Sequence, residues 1–266
     1  MLPVARKPTL SPSKITTYLA CPSKFKWTYV DDRGKWLLRS KSYYSFGTTL
    51  HNVLQRFHDA GDLGVTTTHE AIAAMEESWI EGGYASQEEM SQAMADGKEI
   101  LERYIEEISR EPVTSETILV EKMLRLDLDE FVLMGRVDRV DRLADGTLEI
   151  VDYKSGRRGV SDADVATDLA MCCYQLLVRH HYPDSKVQAS IIALRSGEKG
   201  TASLSDFERD EFQRDLIEIG REILHRDYEN LEPVGSSLCV TCDFLSLCRK
   251  FPEFEIPANE TDGTAT

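Results

Sequence analysis

The stretch FVLMGRVDRVDRLADGTLEIVDYK, Phe131 to Lys154, decides the fold. Phe131, Leu133 and Val137 alternate with polar partners, the period of two that marks a strand. The Asp145-Gly146 pair within Ala144–Thr147 is a hairpin turn signal, because its geometry needs positive φ. The pattern predicts antiparallel strands over 131–143 and 148–154, and Thr117, Ile118 and Val120 begin a third before them. Period two places Asp152 and Lys154 on one face, and alignment across the turn brings Asp138 beside them on the neighbouring strand.

Outward from this meander the period lengthens. A helix is predicted over 162–181, a strand over Val187–Leu194, a short strand over 201–204 and a helix over Asp206–Tyr228. Upstream, Ser11-Pro12-Ser13 followed by Ile15, Tyr18 and Leu19 reads as a capped helix that ends at Cys21-Pro22. Phe46-Gly47 leads into Leu50, His51, Leu54, Phe57 and His58 at helical spacing, with acidic helices following over 69–81 and 87–110. The fold class is therefore α/β, a mixed central sheet flanked by helices.

With 266 residues, 41% hydrophobic and 29% charged, the chain can bury one large core. No apolar run approaches the roughly 20 residues needed to span a bilayer, so the expected location is cytoplasmic, in the host if the chain is phage-encoded. A net charge of -15 counts against unspecific attraction to nucleic acid. The N-terminal segment departs from that balance. Residues 1–45 carry nine Lys and Arg, from Arg6 to Lys41, against Asp31 and Asp32, interleaved with Tyr18, Phe25, Trp27, Tyr29 and Trp36. That is either a platform for phosphates and bases or a solvated basic face with core aromatics.

Two carboxylates and an ammonium at one sheet end are what phosphodiester hydrolysis requires. Asp138 and Asp152 can hold a hard divalent cation, and Lys154 can orient water or stabilise developing charge. An isolated Asp-x-Lys on a strand is ordinarily a solvated ion pair of little energetic weight. Here Leu148, Ile150 and Val151 precede Asp152 and imply a buried strand, where a charge needs a partner or a metal. Glu121, alternating with Val120, is a weaker candidate for the metal's outer shell.

These residues resemble the PD-(D/E)XK nuclease superfamily, within it the RecB-like group that includes AddB-type nucleases and the small CRISPR-associated RecB-like exonuclease. The resemblance covers nearly the whole chain and implies a restriction-endonuclease-like core. It implies that His51, in Gly47-Thr48-Thr49-Leu50-His51, joins Asp138 and Asp152 as a ligand of Mg2+ or Mn2+, with Tyr153 offering its backbone carbonyl and Lys154 as the site lysine. It also implies a catalytic role for Gln175, although Arg179 stands where the group often has tyrosine; the alternative is a helix-surface amide.

Cys239, Cys242 and Cys248 form a C-x2-C-x5-C run, and Cys21 supplies a fourth thiol. The resemblance implies a 4Fe-4S cluster on these four; zinc or unligated thiols are the alternatives, and Cys172 and Cys173 read as core thiols. The implied organisation is a single nuclease domain over 1–250. Within it, 1–45 and 232–250 form an iron-sulfur region joining the termini, and 46–231 form the nuclease core with a helical insertion over about 69–110. A disordered tail is expected over 251–266. The implied function is a metal-dependent DNA exonuclease acting on single strands or free ends in repair, recombination, phage or CRISPR-related processing, with a helicase or CRISPR integrase as protein partner. The competing readings are a noncatalytic nucleic-acid-binding adaptor and an iron-sulfur redox or sensor protein.

Overall fold

The computed structural model describes residues 7–59, 64–110 and 114–257. Contacts divide the chain into two units, Met1–Pro12 with Ser40–Glu218 and Ser13–Arg39 with Ile219–Thr266. The first contains a six-stranded mixed sheet: β1 (Thr9–Leu10), β2 (Ser115–Leu128), β3 (Phe131–Leu143), β4 (Leu148–Lys154), β5 (Val187–Ala193) and β6 (Lys199–Ala202). The helices in chain order are α1 (Pro12–Ala20), α2 (Pro22–Phe25), α3 (Ser42–His58), α4 (Thr68–Glu77), α5 (Gln87–Arg110), α6 (Asp162–Thr167), α7 (Leu169–His181), α8 (Asp206–His225) and α9 (Leu245–Cys248). No helix among the described residues is long and apolar enough to cross a membrane.

The predicted meander is present. In its turn the Asp145 carboxylate accepts the Thr147 N–H at 2.9 Å, and Gly146 takes φ 85°. β2 pairs antiparallel with β3 along nearly its whole length. The opposite edge of β3 is shared: β1 lies parallel to it at Val132–Leu133, and β4 antiparallel at Arg139–Arg142. Asp138 falls in the gap between them. β4 then pairs parallel with β5, and its residues Leu148 to Tyr153 are all buried. Behind it α3, α4 and α5 supply a core in which Leu50, Leu54, Met75 and Leu101 pack with Val151 and Tyr153.

The helix expected over 162–181 is broken. Asp168 leaves α6 in an extended conformation (ψ 116°), and its carboxylate caps α7 by accepting the Met171 N–H at 2.9 Å. Within the second unit, Tyr18, Phe25 and Trp27 are buried, so the aromatic platform is reduced to exposed Tyr29 and Trp36. A unit built from short turns needs those rings for a core. Arg33 is paired with Asp31 and Lys35 with Asp32, which locally offsets the basic charge. Of the tail expected from 251, Phe251 and Phe254 pack against Trp27 and Phe244, while 258–266 lie outside the described residues, as does Arg6.

Candidate active site

Four elements of the first unit converge on one cleft: α3 carries His51, β2 carries Glu121, β3 carries Asp138, and β4 carries Asp152, Tyr153 and Lys154. The β3–β4 ladder ends at the Arg139–Val151 pair, so the next facing residues, Asp138 and Asp152, stand where the strands part. There Asp138 Oδ2 accepts the Tyr153 N–H at 3.0 Å and lies 3.3 Å from His51 Nδ1. The other ring nitrogen, Nε2, lies 2.9 Å from the Tyr153 carbonyl oxygen. Burial opposes charge on this imidazole, but Asp138, through its hydrogen bond and charge, with help from Asp152, outweighs it and raises the pKa to about 9. A histidine so held marks a region that attracts cations.

Glu121 completes the trio. The flanking pairs Val120–Arg139 and Lys122–Val137 place it opposite Asp138, and it takes φ 47° in mid-strand. A left-handed non-glycine residue is uncommon, and such conformations concentrate at functional sites. Ligand atoms of His51, Glu121 and Asp138 all lie within 4.8 Å of one another, the only such metal-competent group among the described residues. Burial, then the Asp138 charge, raises the Glu121 carboxyl; Arg136 Nε sits 3.2 Å from its Oε2.

Asp152 stands outside that trio and faces Lys154, whose Nζ lies 2.7 Å from Asp152 Oδ2. The contact is close enough for an ion pair yet off the direction of a hydrogen bond, so this buried oxygen retains unused acceptor capacity. Burial raises the Asp152 carboxyl; Lys154 opposes that rise and Asp138 adds to it. Burial likewise acts to lower the Lys154 ammonium, but Asp152 reverses the direction, with Asp168 and Asp138 contributing.

The cleft has a volume of about 880 Å³ and is walled by Tyr43, Tyr44, Arg136, Arg158 and Asp168 around His51, Glu121, Asp138 and Lys154. A Cβ at Gly135 would come within 2.7 Å of Leu177 and 2.8 Å of Tyr174, so glycine there lets α7 close on β3. Gln175 is not brought to this cleft. It is buried, its Oε1 accepts the Leu204 N–H at 2.9 Å, and it lines a separate cavity with Arg179 and Arg209. Its neighbour Tyr174 is the α7 residue near the acids: burial, then the charges of Asp152 and Asp138, raises its phenol. Glu121's alternation with Val120 was a sequence signal for its place; Tyr174 and Asp168 had none beyond residue type.

The second unit gathers the other candidate ligands. Cys21 Sγ accepts the Lys24 N–H at 3.3 Å and Cys239 Sγ the Ser236 N–H at 3.4 Å. Burial raises the Cys242 thiol and pushes Cys248 up to about 11, and Cys21 and Cys239 contribute to both. Cys242 and Cys248 pack with Trp27 and Phe244. Among the described residues no three of the four sulfurs come within 4.8 Å of one another. Cys172 and Cys173 are buried on α7.

A family model for the PD-(D/E)XK nuclease superfamily matches residues 9–249. Among solved structures, the chain is similar to SSO0001 at 12% identity, over 93% of this chain and 88% of that one, with a TM-score of 0.38. It is also similar to a candidate exonuclease from Eubacterium rectale at 16% identity, over 83% of this chain and 96% of that one, again with a TM-score of 0.38. No curated protein matches the chain significantly.

Proposed function

The chain belongs to the PD-(D/E)XK nuclease superfamily, and we propose that its activity is metal-dependent exonucleolytic hydrolysis of DNA at unpaired strands or ends. The observation that carries this reading is the convergence of His51, Glu121 and Asp138 beside the buried Asp152–Lys154 pair in one cleft. His51, Asp138 and Glu121 would hold a divalent cation, with Asp152 and the Tyr153 carbonyl available on the β4 side; the unused acceptor capacity of Asp152 Oδ2 fits that set. When bound, Mg2+ or Mn2+ neutralises charge on the phosphoryl oxygen and acidifies water. Lys154, held by Asp152 and half-exposed to the cleft, is placed to stabilise negative charge as it develops. Exposed Tyr43 and Tyr44 on the cleft wall, with ring centroids 4.4 Å apart, offer faces on which unpaired bases stack, a contact that bases inside a duplex cannot make.

For the second unit we propose a structural 4Fe-4S cluster on Cys21, Cys239, Cys242 and Cys248. The support for it is the C-x2-C-x5-C run with a fourth thiol at Cys21 in the same unit, on short turns rather than in two local pairs as a zinc site commonly has. As a crosslink it closes a loop of more than two hundred residues, which constrains the unfolded chain by roughly 5 kcal/mol.

The deciding experiment uses 5'-labelled and 3'-labelled single-stranded and duplex DNA with Mg2+ or Mn2+, comparing wild type with Asp138→Ala and Lys154→Ala. Metal-dependent shortening from an end, lost in both variants, is expected. A folded wild type that cleaves none of these substrates with either metal overturns the reading. Iron and acid-labile sulfide in equal amounts, with zinc absent, is the expected composition of the purified protein.

A further inference from the structure

Behind the cleft lies a second polar cluster that phosphodiester hydrolysis does not use. A single nitrogen of Arg139, Nη1, lies 2.7 Å from Tyr153 Oη, 2.9 Å from Tyr104 Oη and 2.6 Å from His58 Nε2. The two phenolic oxygens are 2.8 Å apart, and Tyr104 Oη is also 2.8 Å from His58 Nε2. On its other side Arg139 Nε lies 3.1 Å from Asp141 Oδ2, and Asp141 Oδ1 accepts the Thr117 hydroxyl at 2.8 Å. Arg139, Tyr104 and Tyr153 are each less than a tenth exposed. Burying a guanidinium among polar groups is costly, and apolar residues of similar volume commonly stabilise such a core as well or better. Stability alone is therefore a poor account of this cluster.

Its position supplies a better one. The β3–β4 ladder ends at Arg139–Val151, and the strands part at the very residues that face the cleft. Past that point the Tyr153 residue ties them together. Its N–H is held by Asp138, its carbonyl by His51, and its phenol by Arg139, whose backbone adjoins Asp138. His58 stands seven residues after His51, two turns along the same helix, so one face of α3 brings both imidazoles to Tyr153, with ring centroids 6.0 Å and 6.3 Å from its ring. Tyr104 adds α5 to the assembly. One cluster thus joins every element that carries a metal-competent or catalytic side chain, β2 included through Thr117.

We infer that Arg139, Tyr104 and His58 are positioning residues: they clasp the Tyr153 phenol from behind and so fix the spacing of His51, Asp138 and the Asp152–Lys154 pair in front. The clasp rests on the nuclease reading for its catalytic consequence, but not for its effect on metal binding. A phenol held by two partners, Arg139 and Tyr104, each braced in turn by His58, holds the Tyr153 peptide against rotation, and losing such supporting contacts typically costs ten- to a hundredfold in metal affinity or activity.

Tyr153→Phe and Tyr104→Phe remove one hydroxyl each and keep the ring. Met75→Ala, a cavity in the same apolar core away from the clasp, serves as the purely structural control. Full-length protein is titrated with Mn2+ by calorimetry without DNA, and kcat and KM are then measured on single-stranded DNA. The clasp predicts about a tenfold or greater loss of Mn2+ affinity in both tyrosine variants. It also predicts a matching fall in kcat, KM changed less than twofold, and partial rescue at high Mn2+. Met75→Ala should melt earlier yet bind Mn2+ like wild type. Tyrosine variants that melt earlier but keep wild-type Mn2+ affinity and kcat overturn the clasp. A wild type that binds Mn2+ through the clasp but cleaves no DNA sinks the nuclease reading and leaves the clasp standing.

Discussion

Asp138 and Asp152 stand on neighbouring strands whose ladder, twelve-odd residues of β2 on one side and β5 on the other, sets their positions before any ligand arrives. Cys21, Cys239, Cys242 and Cys248 stand on turns: α2 and α9 of four residues each, and a 3₁₀ segment over Ser237–Thr241. Around the sulfurs the buried apolar cluster amounts to Trp27, Phe244 and Cys248 with a few partly buried neighbours. Helices of one turn have no stability of their own, since nucleation is not recovered by propagation. The contrast teaches that the sheet preorganises its charged side chains through backbone pairing. On the proposed reading, the cysteine unit, which has no strand ladder among the described residues, would draw part of its stability from the cluster its sulfurs bind.

The largest effect expected from that contrast falls on the second unit. Cys239→Ala should lose the cluster and up to roughly 5 kcal/mol of stability. Limited proteolysis should then cut first within 13–39 and 219–257 while the sheet-bearing unit persists; uniform digestion of both units would break the comparison. Next in size, Asp138→Asn should lower cleavage about a thousandfold, near 4 kcal/mol of transition-state stabilisation, while melting falls only by the lost His51 ion pair, since the amide oxygen can still accept the Tyr153 N–H. An equally large fall in melting temperature would show that the acid holds the sheet together rather than serving chemistry.

Gln175→Leu should do the reverse. It leaves the partly buried Leu204 N–H without its acceptor, which costs about 1 kcal/mol, while cleavage by the folded fraction changes less than threefold. A hundredfold loss of rate at unchanged stability would restore the catalytic role that the family resemblance implies for it. The smallest effect is on pH dependence. Burial, then the Arg139 charge, lowers His58 to about 2, so the unfolded chain binds a proton near pH 6.5 that the folded chain excludes. Stability from this group is present above pH 6.5 and is lost as pH falls below it, at up to about 1.4 kcal/mol per pH unit. His58→Gln should flatten the decline of melting temperature between pH 6.5 and 5 relative to wild type.

Much of this was written in local pattern. The Asp145-Gly146 turn, the alternation on either side of it and the apolar run before Asp152 define the hairpin, and the hairpin carries the acids and the lysine to one place. For His51 helical periodicity gave only a place on or beside the buried stripe of Leu50 and Leu54; its place in the site was an expectation from the family resemblance at Gly47 to His51. Gln175 shows the limit. Its residue type and helix match the motif, but which way it turns depends on how α7 seats on β3, and that contact is set by Gly135 against Tyr174 and Leu177. The N-terminal aromatics show the same limit, since a Trp spaced among lysines looks alike whether it stacks a base or fills a small core.

Sequence alone determined the hairpin, the residue types at its open end and the cysteine run, because each depends on neighbours a few positions away. Tertiary structure decided that Glu121 faces Asp138, that Asp152 turns to Lys154, and that Arg139 and Tyr104 clasp Tyr153 from behind. Apart from the Asp152–Lys154 pair, whose shared face period two already gave, those placements depend on strand register and on packing between residues 14 to 49 positions apart, where burial makes partners that local periodicity does not encode.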